Sequence, residues 1–142
     1  MGRTFVMCKP DAVERGLVGE VVGRLERKGL RLARLDLRRL DRETAARHYA
    51  EHEGKVFFGD LLDFVTRAPV VAMIVEGPDE AGDDTFAIVR TLMGPTNPAA
   101  APPGTVRGDF GTLVTENLVH GSDSAESAER EISVFFPEEA TS

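Results

Sequence analysis

The chain has one cysteine, Cys8, among its 142 residues, so it carries neither a disulfide framework nor a thiolate metal site. Cys8 stands in an apolar run with Phe5, Val6 and Met7, where a packing role suits it better than nucleophilic work. No apolar run approaches the length of a membrane span, and the N-terminus lacks the apolar stretch of a signal peptide. A cytoplasmic protein with no membrane partner is expected. Positive charge is in the minority: 17 Lys and Arg against 24 Asp and Glu give a formal net charge of −7. This argues against nucleic acid as a partner, and an anionic ligand requires a locally positive pocket. There is no GxxxxGK[ST] phosphate loop, and Gly16, Gly19 and Gly23 do not have the GxGxxG spacing. The histidines are His48, His52 and His120, which do not read as a zinc set. His48 and His52 are four apart without a zincin glutamate, and both are expected on an exposed helix face.

What is present describes one ordinary domain over residues 1–142, with 42% hydrophobic and 29% charged residues. Residues 3–8 read as a buried strand, ended by Lys9-Pro10-Asp11 because proline removes a ladder donor. Val18, Val21, Val22 and Leu25 mark one face of a helix running to about Lys28, with Gly29 as its stop. Leu30 to Leu40 alternates leucine with arginine and slips phase near Ala33, which predicts a half-exposed strand with a bulge. Arg31, Arg34, Arg38 and Arg39 are its expected wet face. Asp41 caps a short helix that carries Ala45, Ala46 and Tyr49, and a second helix follows with Phe58, Leu61, Leu62 and Val65. Residues 70–76 form the clearest buried strand, closed by Gly77-Pro78. Asp83 or Asp84 then caps a helix with Phe86, Val89 and Met93 inward, ending at Gly94.

The Pro/Gly/Ala-rich stretch 94–111 lies between core elements, where a long packed loop is more often functional than idle. A strand from Asn117 to His120 comes next. Asp123 with Glu126 resembles a capping box for a helix whose buried stripe is Ala125, Ala128 and Ile132. The order of elements is that of an α+β, ferredoxin-like βαββαβ sandwich. Its four-stranded antiparallel sheet is expected to be covered by helices on one face, with added helices.

His120 sits before a glycine that lets the backbone turn, so its imidazole is a candidate nucleophile or general base near neutral pH. A Ser122-His120-Asp123 triad is discounted, because near neighbours in sequence rarely reach that geometry. The scattered cations Lys9, Arg90 and Arg107, with Thr96 and Asn117, could line a pocket that binds polyphosphate without a glycine loop. Phe57 and Leu61 offer an apolar clamp for a flat base.

These residues carry a resemblance. Lys9-Pro10-Asp11, Arg90 with Gly94-Pro-Thr96-Asn97-Pro98, Pro103-Gly-Thr-Val-Arg107-Gly-Asp109-Phe and the run NLVHGSDSAESAEREI look like nucleoside diphosphate kinase over about residues 3–137. The resemblance implies the ferredoxin-like core with a long Pro/Gly-rich (Kpn-type) loop. It implies a ping-pong reaction in which His120 takes the γ-phosphate of a nucleoside triphosphate such as ATP, then passes it to a nucleoside diphosphate. By the same resemblance Glu131, with Ser122, aims the imidazole, and Lys9, Arg90 and Arg107 neutralise the transferring phosphates. Thr96 holds a β-phosphate oxygen, Asn117 and Lys9 reach the ribose, and Tyr49 lies beside His120. The base stacks on Phe57 against Val114, with Leu61 nearby. Mg²⁺ arrives with the nucleotide, held by phosphate and water rather than by protein ligands, though Asp123 can touch it through water. Symmetric homohexamers, or tetramers, are implied as well. The segment from Gly77 to Arg90 is longer than the family's usual one. Two rival readings are a ferredoxin-like nucleotide-binding regulatory domain without catalysis, and a metal-dependent phosphohydrolase using His120, Asp109 and Asp123.

Overall fold

A computed structural model describes residues 2–140. Its centre is two strands built on the apolar runs 5–8 and 70–75, β1 (Arg3–Cys8) and β3 (Val70–Glu76), paired antiparallel from Arg3 opposite Glu76 to Cys8 opposite Val71. Strand β2 (Arg31–Arg38) pairs with the other edge of β3, and the short β4 (Val119–Gly121) pairs with β1. The order β2-β3-β1-β4, antiparallel throughout, is that of the ferredoxin-like α+β sandwich the sequence predicts.

The sheet is covered on both faces, not on one as expected. Val6, Cys8, Met73 and Val75 pack with Val21 and Leu25 of α2 (Val18–Arg27) and with Val89 and Met93 of α5 (Thr85–Met93). On the opposite face Phe5, Met7, Ala72 and Ile74 pack with α3 (Arg42–His48), α4 (Phe58–Thr66) and α7 (Ala125–Phe135). The reason is legible in β1 and β3: a strand buried on one face alternates, whereas a run such as Val70-Val-Ala-Met-Ile-Val75 must be buried on both. Among the described residues no helix is long and apolar enough to cross a membrane.

The bulge in β2 falls where expected, with Leu32 opposite Val75 but Arg34 opposite Ile74. Its consequence corrects the wet-face reading for Arg34 and Arg38, while Arg31 and Arg39 are exposed as expected. The extra residue swaps the faces, so Leu35 and Leu37 emerge 50% and 61% exposed. Arg34 and Arg38 turn inward instead, with their guanidinium carbons 4.8 and 5.0 Å from the ring centre of Phe136.

Other boundaries move by a residue or a turn. Lys9-Pro10-Asp11 ends β1 but opens a short helix, α1 (Pro10–Glu14), because proline is suited to a first helical position. Asp41 caps α3 as expected, accepting from the Thr44 N–H at 2.7 Å. At α7 the cap is Ser124, whose hydroxyl accepts from the Ser127 N–H, so Asp123 is released from the capping box assigned to it. Within 94–111 the chain forms α6 (Val106–Phe110), capped by Thr105. The longer segment after Gly77 winds into a 3₁₀ turn, Asp79–Asp84, before α5.

Candidate active site

The site begins with an unusual turn at the entrance to β4. Leu118 has φ of 76°, a left-handed value that side chains rarely adopt, and the Val119 N–H bonds the Asn117 carbonyl at 2.9 Å. That is a γ-turn with a positive central angle, a conformation costing on the order of 1–3 kcal/mol. The surroundings over-determine it. The Leu118 N–H donates to Asp11 Oδ2 at 3.0 Å, its carbonyl accepts from the Lys9 N–H at 2.8 Å, and its side chain is fully buried. This turn shortens the expected strand 117–120 to Val119–Gly121 and puts His120 within the strand, not at its end.

The pairing with β1 then aims each side chain. His120 lies opposite Met7, on the face covered by α7, whereas Gly121 lies opposite Val6 and faces α5. A Cβ at Gly121 would come within 2.9 Å of Met93 Sδ, so glycine lets α5 close on the strand. Helix α7 presents Ala128, Glu131, Ile132 and Phe135 as its buried stripe. Glu131 is the charged member of an otherwise apolar face, held beneath His120.

His120 Nε2 and Glu131 Oε1 are 2.9 Å apart, and the Ser122 hydroxyl donates to the same oxygen at 2.6 Å. Burial pushes the Glu131 carboxyl up, but hydrogen bonds from His120 and Ser122 outweigh it and hold it below the usual range. An ionised carboxylate only accepts, which assigns the ring proton to Nε2 and leaves the lone pair on Nδ1.

One cavity of about 140 Å³ gathers His120 and Glu131 with Lys9, Arg90, Arg107, Thr96 and Asn117. A larger one, of about 750 Å³, gathers Tyr49, Phe57, Leu61 and Val114, and the two share Lys9 and Thr96. The scattered cations therefore converge on one side of His120, and the apolar clamp opens beside them. The joint is a polar chain: Lys9 Nζ donates to Asn117 Oδ1 at 2.8 Å, and Asn117 Nδ2 donates to the Thr96 carbonyl at 2.9 Å. Burial, aided by the Arg107 charge, lowers the Lys9 ammonium to about 8.

Arg107 is as much a staple as a ligand. Its guanidinium donates to the carbonyls of Asn117 (3.1 Å), Gly94 (2.8 Å) and Val119 (2.6 Å), which ties the long loop to the strained turn. Three of a guanidinium's five N–H groups are used in this way, leaving donors for an anion. Arg90 donates to the Gly121 carbonyl at 2.9 Å. Tyr49 stands one ring further from His120 than expected: its ring is 4.6 Å from that of His48, which in turn is 4.7 Å from that of His120.

Two residues that matter here were missed or misplaced by pattern reading. His48 is not on an exposed face: it is 2% exposed, and burial lowers its imidazole to about 3, so it is neutral. Its position in α3, three after Ala45, is the signal that could have found it. Asp11, which the sequence marks only within Lys9-Pro10-Asp11, holds the turn before His120. Asp109, by contrast, bonds Arg24 at 2.7 Å and the Gly104 N–H at 2.9 Å, so the proposed hydrolase ligand set is not assembled.

An ionised-glutamate-backed imidazole in a cation-lined cavity, beside an apolar slot, is the equipment of a nucleotide phosphotransferase. Comparison with known proteins narrows the class. A family model described as nucleoside diphosphate kinase matches residues 2–141. The nucleoside diphosphate kinase of Saccharopolyspora erythraea is 59% identical over 137 residues, spanning 96% of this chain and 97% of the relative. That of Archaeoglobus fulgidus is 58% identical over 139 residues, spanning 98% and 89%. A halophilic nucleoside diphosphate kinase from Halobacterium salinarum, solved in complex with CDP, matches with a TM-score of 0.87 and 51% identity over 94% of this chain and 86% of that one. A family protein from Babesia bovis matches with a TM-score of 0.90 and 45% identity over 100% and 93%. The chain belongs to the nucleoside diphosphate kinase family, and it transfers phosphate between nucleotides.

Proposed function

We propose that His120 carries the phosphate, and the observation that bears this reading is the Nε2 contact with Glu131, which leaves Nδ1 as the attacking atom. Nδ1 attacks the γ-phosphorus of a nucleoside triphosphate such as ATP in line with the bridging oxygen. The N–P bond forms as the P–O bond to the β-phosphate breaks, and the nucleoside diphosphate leaves with the electron pair. A β-phosphate oxygen of a second nucleoside diphosphate then attacks the phosphohistidine and regenerates the imidazole. The ring gains positive character while it carries phosphate, and the Glu131 carboxylate, steadied by Ser122, compensates it. Lys9, Arg90 and Arg107 draw charge from the phosphates, Thr96 holds a β-phosphate oxygen, and Asn117 with Lys9 takes the ribose. Tyr49 lines the apolar slot with Phe57 and Leu61. Phe57, 46% exposed, and Val114, 53% exposed, take the base between them with Leu61 alongside. Stacking is indifferent to the base, which suits an enzyme serving every nucleotide.

Mg²⁺ fits as a partner of the nucleotide. The donors at hand are the exposed Asp123 carboxylate, held low by the Ser127 hydroxyl, and Glu51, a set that suits a hydrated ion. Bound there it neutralises phosphate charge. The chain acts as one domain over residues 1–142, in the cytoplasm, without nucleic acid or membrane as partner. It assembles as a homohexamer, or a tetramer, and the exposed Leu35 and Leu37 on the edge strand support burial by another copy. Light scattering should give several times the 15.4 kDa of one chain. The reading of the fold as a non-catalytic regulatory domain is not favoured.

The direct test is chemical. With γ-labelled ATP and Mg²⁺ the protein should take up label that survives alkali and is lost in acid, as phosphohistidine does. Added GDP should chase it off as labelled GTP. Properly folded protein that takes no label would mean that His120 is not the carrier.

A pH dependence follows from Lys9. The protonated ammonium binds polyphosphate, and with its proton affinity lowered to about 8 it is charged at neutral pH and loses its charge above that value. The kcat/KM for nucleotide should therefore fall about tenfold per unit on the alkaline side, reporting the free enzyme. Lys9→Met should lower the whole profile and abolish that limb; a limb unchanged in the variant would assign it to another group.

A further inference from the structure

Phosphate transfer makes no use of the buried ring directly behind its nucleophile. His48, the last residue of α3, is packed against Phe135 at 5.3 Å and Tyr49 at 4.6 Å between ring centres, and it meets His120 edge-on at 4.7 Å and 81°. Among the described residues, neither of its ring nitrogens has a hydrogen-bond partner. An unsatisfied buried polar group costs about 1–3 kcal/mol, and the fold carries that cost in contact with the reacting residue. The same place satisfies a second, independent condition. One nitrogen of His48, one of His120 and one carboxylate oxygen of Glu131 all lie within 4.8 Å of one another.

Two imidazoles and a carboxylate are a donor set for a borderline cation such as Zn²⁺, which binds nitrogen and oxygen at about 2.0–2.2 Å with four ligands in a tetrahedron. Mg²⁺ prefers an all-oxygen, octahedral shell and is not drawn to imidazole. His120 and Glu131 line the nucleotide cavity, so an ion has a route in, and a fourth position open to the cavity can hold water.

We propose that His48, His120 and Glu131 form a Zn²⁺ site that silences the enzyme when occupied. The inhibitory consequence rests on the reading of His120 as phosphate carrier; the binding site does not. If the ion takes Nδ1 of His120, the attacking lone pair is engaged directly. If it takes Nε2, the proton there moves to Nδ1, which then has no lone pair to offer. Either way attack on phosphorus stops, and a phosphate already on His120 excludes the ion. Metal and phosphate thus compete for one ring.

The test uses the nucleotide-free full-length chain, since free ATP would itself bind the metal. Calorimetry with Zn²⁺ should show one ion per chain, and Co²⁺ in its place should give the visible bands of a tetrahedral site. Phosphorylated protein, prepared by prior incubation with ATP and freed of nucleotide, should bind neither. His48→Phe fits the aromatic cage, removes both orphaned nitrogens, and should abolish the Co²⁺ bands and raise the Zn²⁺ concentration for half-inhibition at least tenfold. His48→Leu serves the same purpose should the phenylalanine variant fail to fold. Wild-type protein without stoichiometric binding, or a folded His48 variant that binds as wild type does, would overturn the proposal. Zn²⁺ binding that depends on His48 in a protein that takes no phosphate label would retain the site and reject the phosphate-carrier reading instead.

Discussion

His120→Ala should lower kcat/KM for phosphate exchange between nucleotides by on the order of 10⁴-fold or more, because removing a covalent carrier removes both half-reactions at once. A factor of that size corresponds to about 5 kcal/mol of transition-state stabilisation, at about 1.4 kcal/mol per decade. The folded state should lose far less. The His120 side chain is 23% exposed, and Glu131 keeps the Ser122 hydroxyl at 2.6 Å and the Arg130 guanidinium at 3.5 Å. The expected cost is that of one hydrogen bond to a charged group, about 1.5–3 kcal/mol. Denaturant midpoints and steady-state rates measured on the same preparation separate the two effects. A variant within tenfold of wild type in rate would remove His120 from the mechanism.

Asp11→Ala carries the second large effect, although Asp11 touches no phosphate. Its carboxylate accepts the N–H of Leu118, the residue at φ 76°, two positions before His120. Alanine leaves that buried N–H unpaired, at about 1–3 kcal/mol, and removes one of the restraints that hold a strained turn. Once the turn relaxes, β4 shifts against β1, and His120 moves relative to the cavity. A displacement of about 1 Å at a reacting group costs on the order of 10²-fold in rate. The variant should therefore lose stability and kcat together, with KM less affected. Asp11→Asn keeps an acceptor oxygen and should recover most of both. If asparagine behaves as alanine does, the role of Asp11 is its charge rather than its hydrogen bond.

The site was legible to the extent that its residues are close in sequence or follow a repeating period. The Asn117–Ser124 run was legible as a candidate site because a histidine before a glycine marks an accessible turn, whereas Glu131 joined it only through the family resemblance. The cations could be assigned to one pocket, but the sequence does not show how they meet: Lys9, Arg90 and Arg107 belong to three elements, and only the packing of α5 and α6 against β4 sets them around one cavity. His48 was read wrongly for a related reason. A helix with Ala45 and His48 on one face looks amphipathic whichever way it turns, and its docking against Phe5 and Phe135 decides which face is inside.

Local rules decided most of the fold. Apolar runs made β1 and β3, a phase slip announced the bulge in β2, and Asp41 stopped the chain where α3 begins. What the sequence by itself determined was the set of elements, the candidate nucleophile and the family. The tertiary structure alone decided that helices cover both faces of the sheet, that Arg34 and Arg38 turn inward, and that Leu118 holds a left-handed angle. Each of these is unfavourable or ambiguous locally and is set by contacts between residues far apart in the chain. Strain at Leu118 is maintained by Asp11, 107 positions away, and such a balance is invisible to any window of neighbouring residues.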